Sequence, residues 1–341
     1  ADLTENARRL VDANLVPVDE APLDFYGLML RKKLKSRGDD QAATEYLAVQ
    51  TVVYHDKAIN AQWSPIFVEL KKRFTSVLRE GAYVLADRDP RQVTDILNAH
   101  LDRTLRYYRL EDDMSKYDKS QQERIVRSEM RLYLRFGLPR SKRSRWMNGQ
   151  IDRKAMSMES MFYLFLLWQR TSGGATTTLG NTVCVMIATT GTTDLRSCPL
   201  VFFLGDDCLM FFLEPPDVHR LQQQLEDTYN LIGKPYQPVH HAYFCGMYCV
   251  LGSNQWYAVG DPVKRIEKLG SYSARDDLFD EWQSAYRLMT IGYEIPEVQR
   301  AVSIAVAERH RTTVDVTVAM EALYSLARSS PAEFRACWVK V

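Results

Sequence analysis

Long apolar runs are missing from this chain of 341 residues. The longest uninterrupted one, MFYLFLLW from Met161 to Trp168, falls far short of the ~20 residues that a bilayer-spanning helix needs. No segment is therefore expected to cross a membrane by itself. Cysteine is scarce as well. Its 6 copies (Cys184, Cys198, Cys208, Cys245, Cys249 and Cys337) make no disulfide framework and point to a reducing compartment. An excess of charge is absent, because 44 Lys and Arg stand against 43 Asp and Glu. Global attraction of a polyanion is thereby excluded. Repeats and low-complexity linkers are missing too, which predicts subdomains woven from one interleaved chain. The first residues, ADLTENARR, carry neither an initiator Met nor a signal-peptide pattern and predict a processed product or an excised domain.

What is present is an ordinary folding composition, 46% hydrophobic and 26% charged, with helical and strand-like stretches mixed as in an α+β fold. Basic residues cluster in RKKLKSR (Arg31 to Arg37) and RSKRSR (Arg140 to Arg145), each read by itself as a solvated loop. The segment TEYLAVQTVVYHDK predicts a strand. Phe67, Leu70, Phe74 and Val77 recur at helical spacing ahead of Gly81, a candidate cap. Val126, Met130 and Tyr133 mark a further helix ending before Gly137 and Pro139. Asp217 is read as a helix cap, and Pro296 as a first-turn residue in a helical C-terminal region. HAYFCGMYCVLGSNQWYAV reads as a hairpin turning at Gly252 to Asn254.

The stretch FFLGDDCLMFF, Phe202 to Phe212, sets two adjacent carboxylates behind a glycine in a very apolar surround. Burying like charges side by side is costly unless a positive partner compensates them. A strand–turn–strand with Asp206 and Asp207 at one end of a sheet suits a divalent cation, and Mg²⁺ leaves coordination positions for water and phosphate oxygens. A second carboxylate source is then expected on a neighbouring strand, and DDMSKYDKSQ offers Asp113 and, five residues later, Asp118. Either group alone is explained by turn or helix-start chemistry. A third element, SGGATTTLGN, puts Thr177 and Asn181 one helical turn apart on one face behind a Ser-Gly-Gly loop that lets backbone approach a ligand. An amide plus a carboxylate, Asn181 and Asp118, is a chemically sensible reader of a ribose hydroxyl. The order Asp-x4-Asp, Ser-Gly-x3-Thr-x3-Asn, Gly-Asp-Asp is a strong joint signal.

On these residues the chain resembles the RNA-dependent RNA polymerases of positive-strand RNA viruses, within the alphavirus-like supergroup. DMSKYDKSQ, SGGATTTLGNT, FLGDDCLMF, YFCGMYCV and DPVKRIEKLG are similar to that group's blocks, and TEYLAVQTVVYHDKAINA to tobamovirus-type plant virus replicases. The resemblance covers Thr44 to the C-terminus. It implies an α+β right-hand polymerase with an antiparallel palm sheet flanked by helices. Residues 1–108 would form fingers lacking part of their N-terminal region, 109–138 palm, 139–170 a fingers insertion, 171–255 palm and 256–341 a helical thumb. It implies Mg²⁺ or Mn²⁺ at Asp113 and Asp206 with Asp207 in support, and ribose selection by Asp118 and Asn181. Ser172 and Gly173 would form a mobile template and nucleotide loop joined to Thr177, and Lys32, Lys33, Lys35 and Lys57 a triphosphate tunnel. Lys234 is the candidate general acid for pyrophosphate, and Phe244 to Val250 resembles a primer-gripping hairpin. The implied partners are an RNA template, nascent RNA and nucleoside triphosphates. Capping-enzyme and helicase domains of a viral replicase are also implied, in host cytoplasm at membrane-associated complexes reached through those partners.

Two rivals make different demands. A reverse transcriptase needs no ribose-selecting Asn and has a bulky residue in place of Gly205, and a catalytically inactive RNA-binding module descended from a polymerase predicts decayed carboxylates. His240, His241, Cys245 and Cys249 have zinc-ligand chemistry, but their strand spacing makes a poor tetrahedral clamp, so buried hairpin cysteines are expected. His55 beside Asp56 is expected near phosphates, and MFYLFLLW as core or a partner surface.

Overall fold

The computed structural model describes residues 23–30, 51–115, 117–157, 163–267, 269 and 279–337. Lys32, Lys33 and Lys35 lie outside them. In chain order β1 (Phe25–Leu30) and β2 (Thr51–Tyr54) precede α1 (Lys57–Thr75), which is followed by β3 (Ala82–Val84), α2 (Pro90–His100) and β4 (Tyr108–Met114). Then come α3 (Tyr117–Ser120), α4 (Glu123–Arg135), α5 (Arg140–Asn148), β5 (Arg153–Ser157), β6 (Tyr163–Leu166) and α6 (Thr177–Thr192). A hairpin of β7 (Leu200–Leu204) and β8 (Asp207–Phe212) leads to α7 (Val218–Tyr229) and β9 (Gly233–Tyr236). The strands β10 (Ala242–Phe244), β11 (Met247–Leu251) and β12 (Trp256–Gly260) precede α8 (Pro262–Ile266), α9 (Phe279–Met289), α10 (Pro296–His310), α11 (Thr317–Arg328) and α12 (Pro331–Ala336).

These elements divide between two compact units, each assembled from separated stretches of chain. The first comprises the described residues of Ala1–Arg79, Met114–Thr192 and Gln224–Ile232. Its sheet runs β2-β1-β5-β6, antiparallel except for the parallel β1–β5 pair. Helix α1 buries Ile59, Trp63, Phe67, Leu70 and Phe74, a stripe at three- and four-residue spacing. It stops at Thr75, earlier than the sequence pattern suggests, so Val77 is exposed. The run RSKRSR, read from sequence as a loop, is helical α5, held by Trp146 and Met147 buried in its last turn. Of MFYLFLLW, Tyr163 to Leu166 form the edge strand β6, where Tyr163, Leu164 and Phe165 are surface, Phe165 76% exposed, and Leu166 packs against the core cluster of Tyr26, Leu28 and Ala155.

The second unit comprises the described residues of Glu80–Asp113, Thr193–Gln223 and Gly233–Val341. Its five-stranded sheet has the order β3-β7-β8-β4-β9 and a second sheet has the order β10-β11-β12. Alternation along the second sheet separates two cores. Met247, Cys249, Trp256 and Ala258 join Leu200, Phe202, Leu209 and Phe211 of the first sheet. Tyr248, Val250 and Val259 join the C-terminal helices through Tyr286, Val298, Val302, Met320 and Phe334. Phe202 and Phe211, both fully buried, meet edge to face at 6.4 Å. Each ring contributes about 2 kcal/mol from area removed from water. The residues alone read as one hairpin around Gly252, but there are two, and the other, with Cys245 and Gly246 turning between β10 and β11, falls in the Phe244 to Val250 stretch that the resemblance implies to be a hairpin.

Candidate functional site

In the second unit, Gly205 and Asp206 form the two-residue loop of the β7–β8 hairpin, closed by the Leu204–Asp207 pair. Gly205 has φ 63°, while Asp206 stays out of the left-handed region. That is the pattern of a type II′ turn, which calls for glycine first. A Cβ on Gly205 would meet nothing, so the glycine serves backbone geometry and not space. Asp207 begins β8 directly opposite Asp113 of β4. Opposed residues of an antiparallel pair share a face with Cβ atoms about 5 Å apart. Further along that face Leu209 and Phe211 are fully buried, whereas Asp206 and Asp207 are half-buried and Asp113 is exposed. The apolar run thus ends before the carboxylates begin, and they sit at a wet rim where the cost of their charge is small.

The remaining neighbours come from the β10–β11 turn and from β9. The Cys245 thiol is pushed up by burial and then by Asp207, with Lys264 opposing and Asp206 adding, which locates all three charges beside this turn. Lys264 Nζ also lies 5.1 Å from the Tyr243 ring centroid. Glu111, two residues before Asp113, accepts the Tyr243 N–H at 2.7 Å and pairs with Arg309 at 2.8 Å. Asp112 points the other way and is 4% exposed. Burial pushes its carboxyl up to about 7, against a hydrogen bond from the Lys234 backbone N–H and with the charge of Asp113 adding. Lys234 thus meets this strand through its backbone, and a Cβ on Gly233 would come within 2.7 Å of Asp112 Oδ1.

The donor set of Asp113, Asp206 and Asp207 consists only of carboxylate oxygens on a partly solvated rim, which fits a hard divalent ion that keeps open positions. Among the described residues, no group of three or more His, Cys, Asp or Glu is gathered tightly enough to cage a metal. His241 Nδ1 instead bonds Glu308 Oε2 at 3.1 Å, and Cys249 is buried. Cys245 has much of its surface open to solvent at its turn, with the thiol partly shielded, unlike the buried pair expected from sequence.

The first unit gathers the other group. Asn181 of α6 donates through Nδ2 to Asp118 Oδ1 at 3.0 Å. The Ser-Gly-Gly loop ahead of α6 is tied to β2. Gly173 N–H donates to Val53 O at 2.8 Å, Val53 N–H to Ser172 Oγ at 3.4 Å, and Asn60 Nδ2 to Gly173 O at 3.3 Å. A side chain on Gly173 would run into Tyr54, so this close approach requires glycine. Thr177 Oγ1 donates to Thr171 O at 2.6 Å and accepts the Gly174 N–H at 3.1 Å, closing the loop on itself. Lys57 is the exposed first residue of α1, three positions after Tyr54. His55, expected near phosphates, is 1% exposed and stacks on Tyr26 in the core.

Sequence reasoning missed the residues behind Asn181. Gln121 Nε2 donates to Asn181 Oδ1 at 2.8 Å, Arg170 Nε donates to Gln121 Oε1 at 2.6 Å, and Arg170 pairs with Glu129. One signal was available, since Glu129 lies on the same apolar helical face as Val126, Met130 and Tyr133 and so had to find a buried cation.

The family whose sequence profile matches this chain is described as RNA dependent RNA polymerase, and the match covers residues 2–336. The replicase large subunit of Pepper mild mottle virus (strain Spain) is 31% identical over 255 residues, 74% of this chain and 16% of that protein. That of Tomato mosaic virus (strain S-1) is 30% identical over 300 residues, 86% of this chain and 18% of the relative. For Youcai mosaic virus the figures are 29% over 308 residues, 90% and 19%. The chain therefore spans less than a fifth of the length of these curated relatives.

Proposed function

The chain belongs to the RNA-dependent RNA polymerase family, in its alphavirus-like branch with the tobamovirus-type replicases, and on that premise we propose that it extends RNA on an RNA template from nucleoside triphosphates. The observation that carries this reading is the facing of Asp113 and Asp207 across β4 and β8, with Asp206 in the adjoining turn. Asp113, Asp206 and Asp207 would hold Mg²⁺ or Mn²⁺. When bound, such ions favour ionisation of the attacking hydroxyl and stabilise charge on the transferred phosphoryl group.

The chain's own residues do the rest. The 3′-oxygen of the growing strand, its hydroxyl proton passing to water, forms a bond to the α-phosphorus as the bond to the bridging oxygen breaks. Pyrophosphate leaves with a proton that we assign to Lys234. Asp118 accepts from, and Asn181 donates to, the ribose 2′-hydroxyl, while Ser172, Gly173 and Thr177 form the loop that seats the nucleotide. Lys57, with Lys32, Lys33 and Lys35, offsets triphosphate charge. Phosphate contacts hold template and product without reading their sequence.

In this reading 109–138 and 171–255 make the palm, 1–108 and 139–170 the fingers, and 256–341 the thumb. The antiparallel-rich sheet bearing the aspartates and the run of helices α8 to α12 support it. Capping and helicase domains of a longer replicase are the proposed partners, at membrane-associated complexes in host cytoplasm.

Incubating the protein with labelled UTP, primed poly(A) and Mg²⁺ tests the proposal. Wild type is expected to incorporate label, and Asp113→Asn and Asp206→Ala to lose more than about a hundredfold in rate. Equal incorporation by folded variants would reassign the metal site, and an inert wild type would leave RNA binding without synthesis.

A further inference from the structure

We infer that Gln121 fixes which way the Asn181 amide faces, and through it the discrimination of ribose from deoxyribose, with Arg170 and Glu129 holding Gln121 in turn. This rests on the polymerase reading above and adds to it positioning residues that touch no nucleotide.

The argument turns on hydrogen-bond polarity. A guanidinium only donates. Arg170 Nε points at Gln121 at 2.6 Å, so the atom it meets must be the amide oxygen. The other end of Gln121 is then its NH₂ group, which donates to Asn181 at 2.8 Å, so the Asn181 atom it meets must also be oxygen. That leaves the Asn181 nitrogen facing Asp118 at 3.0 Å, with a second N–H to offer to a hydroxyl. A reversed Asn181 would set its oxygen against a carboxylate and its NH₂ against that of Gln121. The two orientations have the same shape, and only the chain of donors from Arg170 separates them.

The network is buried and anchored, which an accidental contact would not be. Gln121 is 0% exposed, Glu129 1% and Asn181 7%. Burial works against the charge of Arg170, yet the Glu129 carboxylate keeps it cationic and so keeps it a donor. Arg170 N–H donates to Asp118 O at 3.1 Å and Tyr117 Oη to Asn181 O at 3.0 Å, so the backbones of both ribose-facing residues are fastened to the same cluster. Gly180, next to Asn181, has no side chain where one would strike both the guanidinium and the Glu129 carboxylate.

The test compares kcat/KM for UTP and dUTP on primed poly(A). Gln121→Glu still accepts from Arg170 but cannot donate to Asn181. It is expected to lower the UTP-over-dUTP preference on the order of tenfold, mainly through a raised KM for UTP, with dUTP little changed. Gln121→Met, uncharged and similar in shape, is expected to do the same and guards against a Gln121→Glu chain that fails to fold, as judged by thermal unfolding. In an Asn181→Ala background neither change should lower the preference further. A folded variant that loses both nucleotides alike, or an additive loss in that background, would overturn the inference while leaving the polymerase reading standing. A wild type that incorporates neither nucleotide would overturn both.

Discussion

His55 packs on Tyr26 with 4.0 Å between ring centroids, meets Trp146 edge-on at 5.5 Å, and donates from Nε2 to Leu23 O at 3.1 Å. From sequence it is expected near phosphates, because no nucleophile motif accompanies the acid–base chemistry that a neighbouring Asp56 suggests. Asp56 instead caps α1 by accepting the Ala58 N–H at 2.8 Å, and His55 is core. Burial pushes its pKa down to about 4, with the Leu23 hydrogen bond opposing and the charge of Arg153 adding. The unfolded chain takes up this proton near pH ~6.5, so between there and about 4 it binds more protons than the folded chain does. This contribution to stability is complete above ~6.5 and is lost as pH falls, by roughly 2–3 kcal/mol at pH ~4.5. His241, also lowered to about 4 by burial despite the opposing Glu308, adds a second loss of the same sign. Urea unfolding of His55→Gln at about pH 7 and 4.5 should therefore show a smaller acid loss than wild type by about that amount. An equal loss would mean that His55 is protonated in the folded protein.

At the scale of elements, the β10–β11 turn is the informative case. Cys245 and Gly246 both have positive φ, 51° and 82°, as a type I′ turn requires at both central positions. Cys-Gly is not a turn signal in sequence, whereas Asn-Gly is, so local chemistry marks only the later turn near Gly252, and the earlier one is legible only through the resemblance of Phe244 to Val250 to a primer-gripping hairpin. Because nothing lies within reach of a Cβ on Gly246, Gly246→Ala should cost only backbone strain, roughly 1–2 kcal/mol. Cys245→Asn should be neutral or stabilising, since Asn tolerates this region better than Cys. Chemical denaturation midpoints measure both, and a larger loss in Gly246→Ala would reveal a contact at the turn. Where local chemistry decides an element, the sequence was readable. Val126, Met130 and Tyr133 are buried on α4, Asp217 accepts the Arg220 N–H at 3.0 Å, and Pro296 opens α10. Helix α5 was not, because its arginines hide a helix that only Trp146 and Met147 anchor. The same division runs through the candidate site. Asp113, Asp206 and Asp207 could be marked because each motif is short. The Gln121–Arg170–Glu129 chain could not, since its members lie 41 and 49 positions apart and meet only in three dimensions.

For the whole molecule, the absence of linkers has a structural counterpart. Each compact unit is built from three separated stretches, and two of the five changeovers fall inside secondary structure. Strand β4 passes from one unit to the other between Asp113 and Met114, and α7 does so between Gln223 and Gln224. A strand paired with β8 from Tyr108 to Asp113 cannot lose its end without fraying the rest. The two units should therefore unfold as one cooperative body in spite of having separate cores. Gly180→Ala offers a way to see this, because an added methyl group must displace the buried Arg170–Glu129 pair in the first unit, at a cost of about 3 kcal/mol. Under cooperative unfolding, hydrogen exchange of the most protected amides should quicken by a similar factor in α6 and in β11 of the second unit. Exchange that quickens in α6 and is unchanged in β11 would mean that the shared strand and helix do not couple the units, and that each can open while the other stays folded.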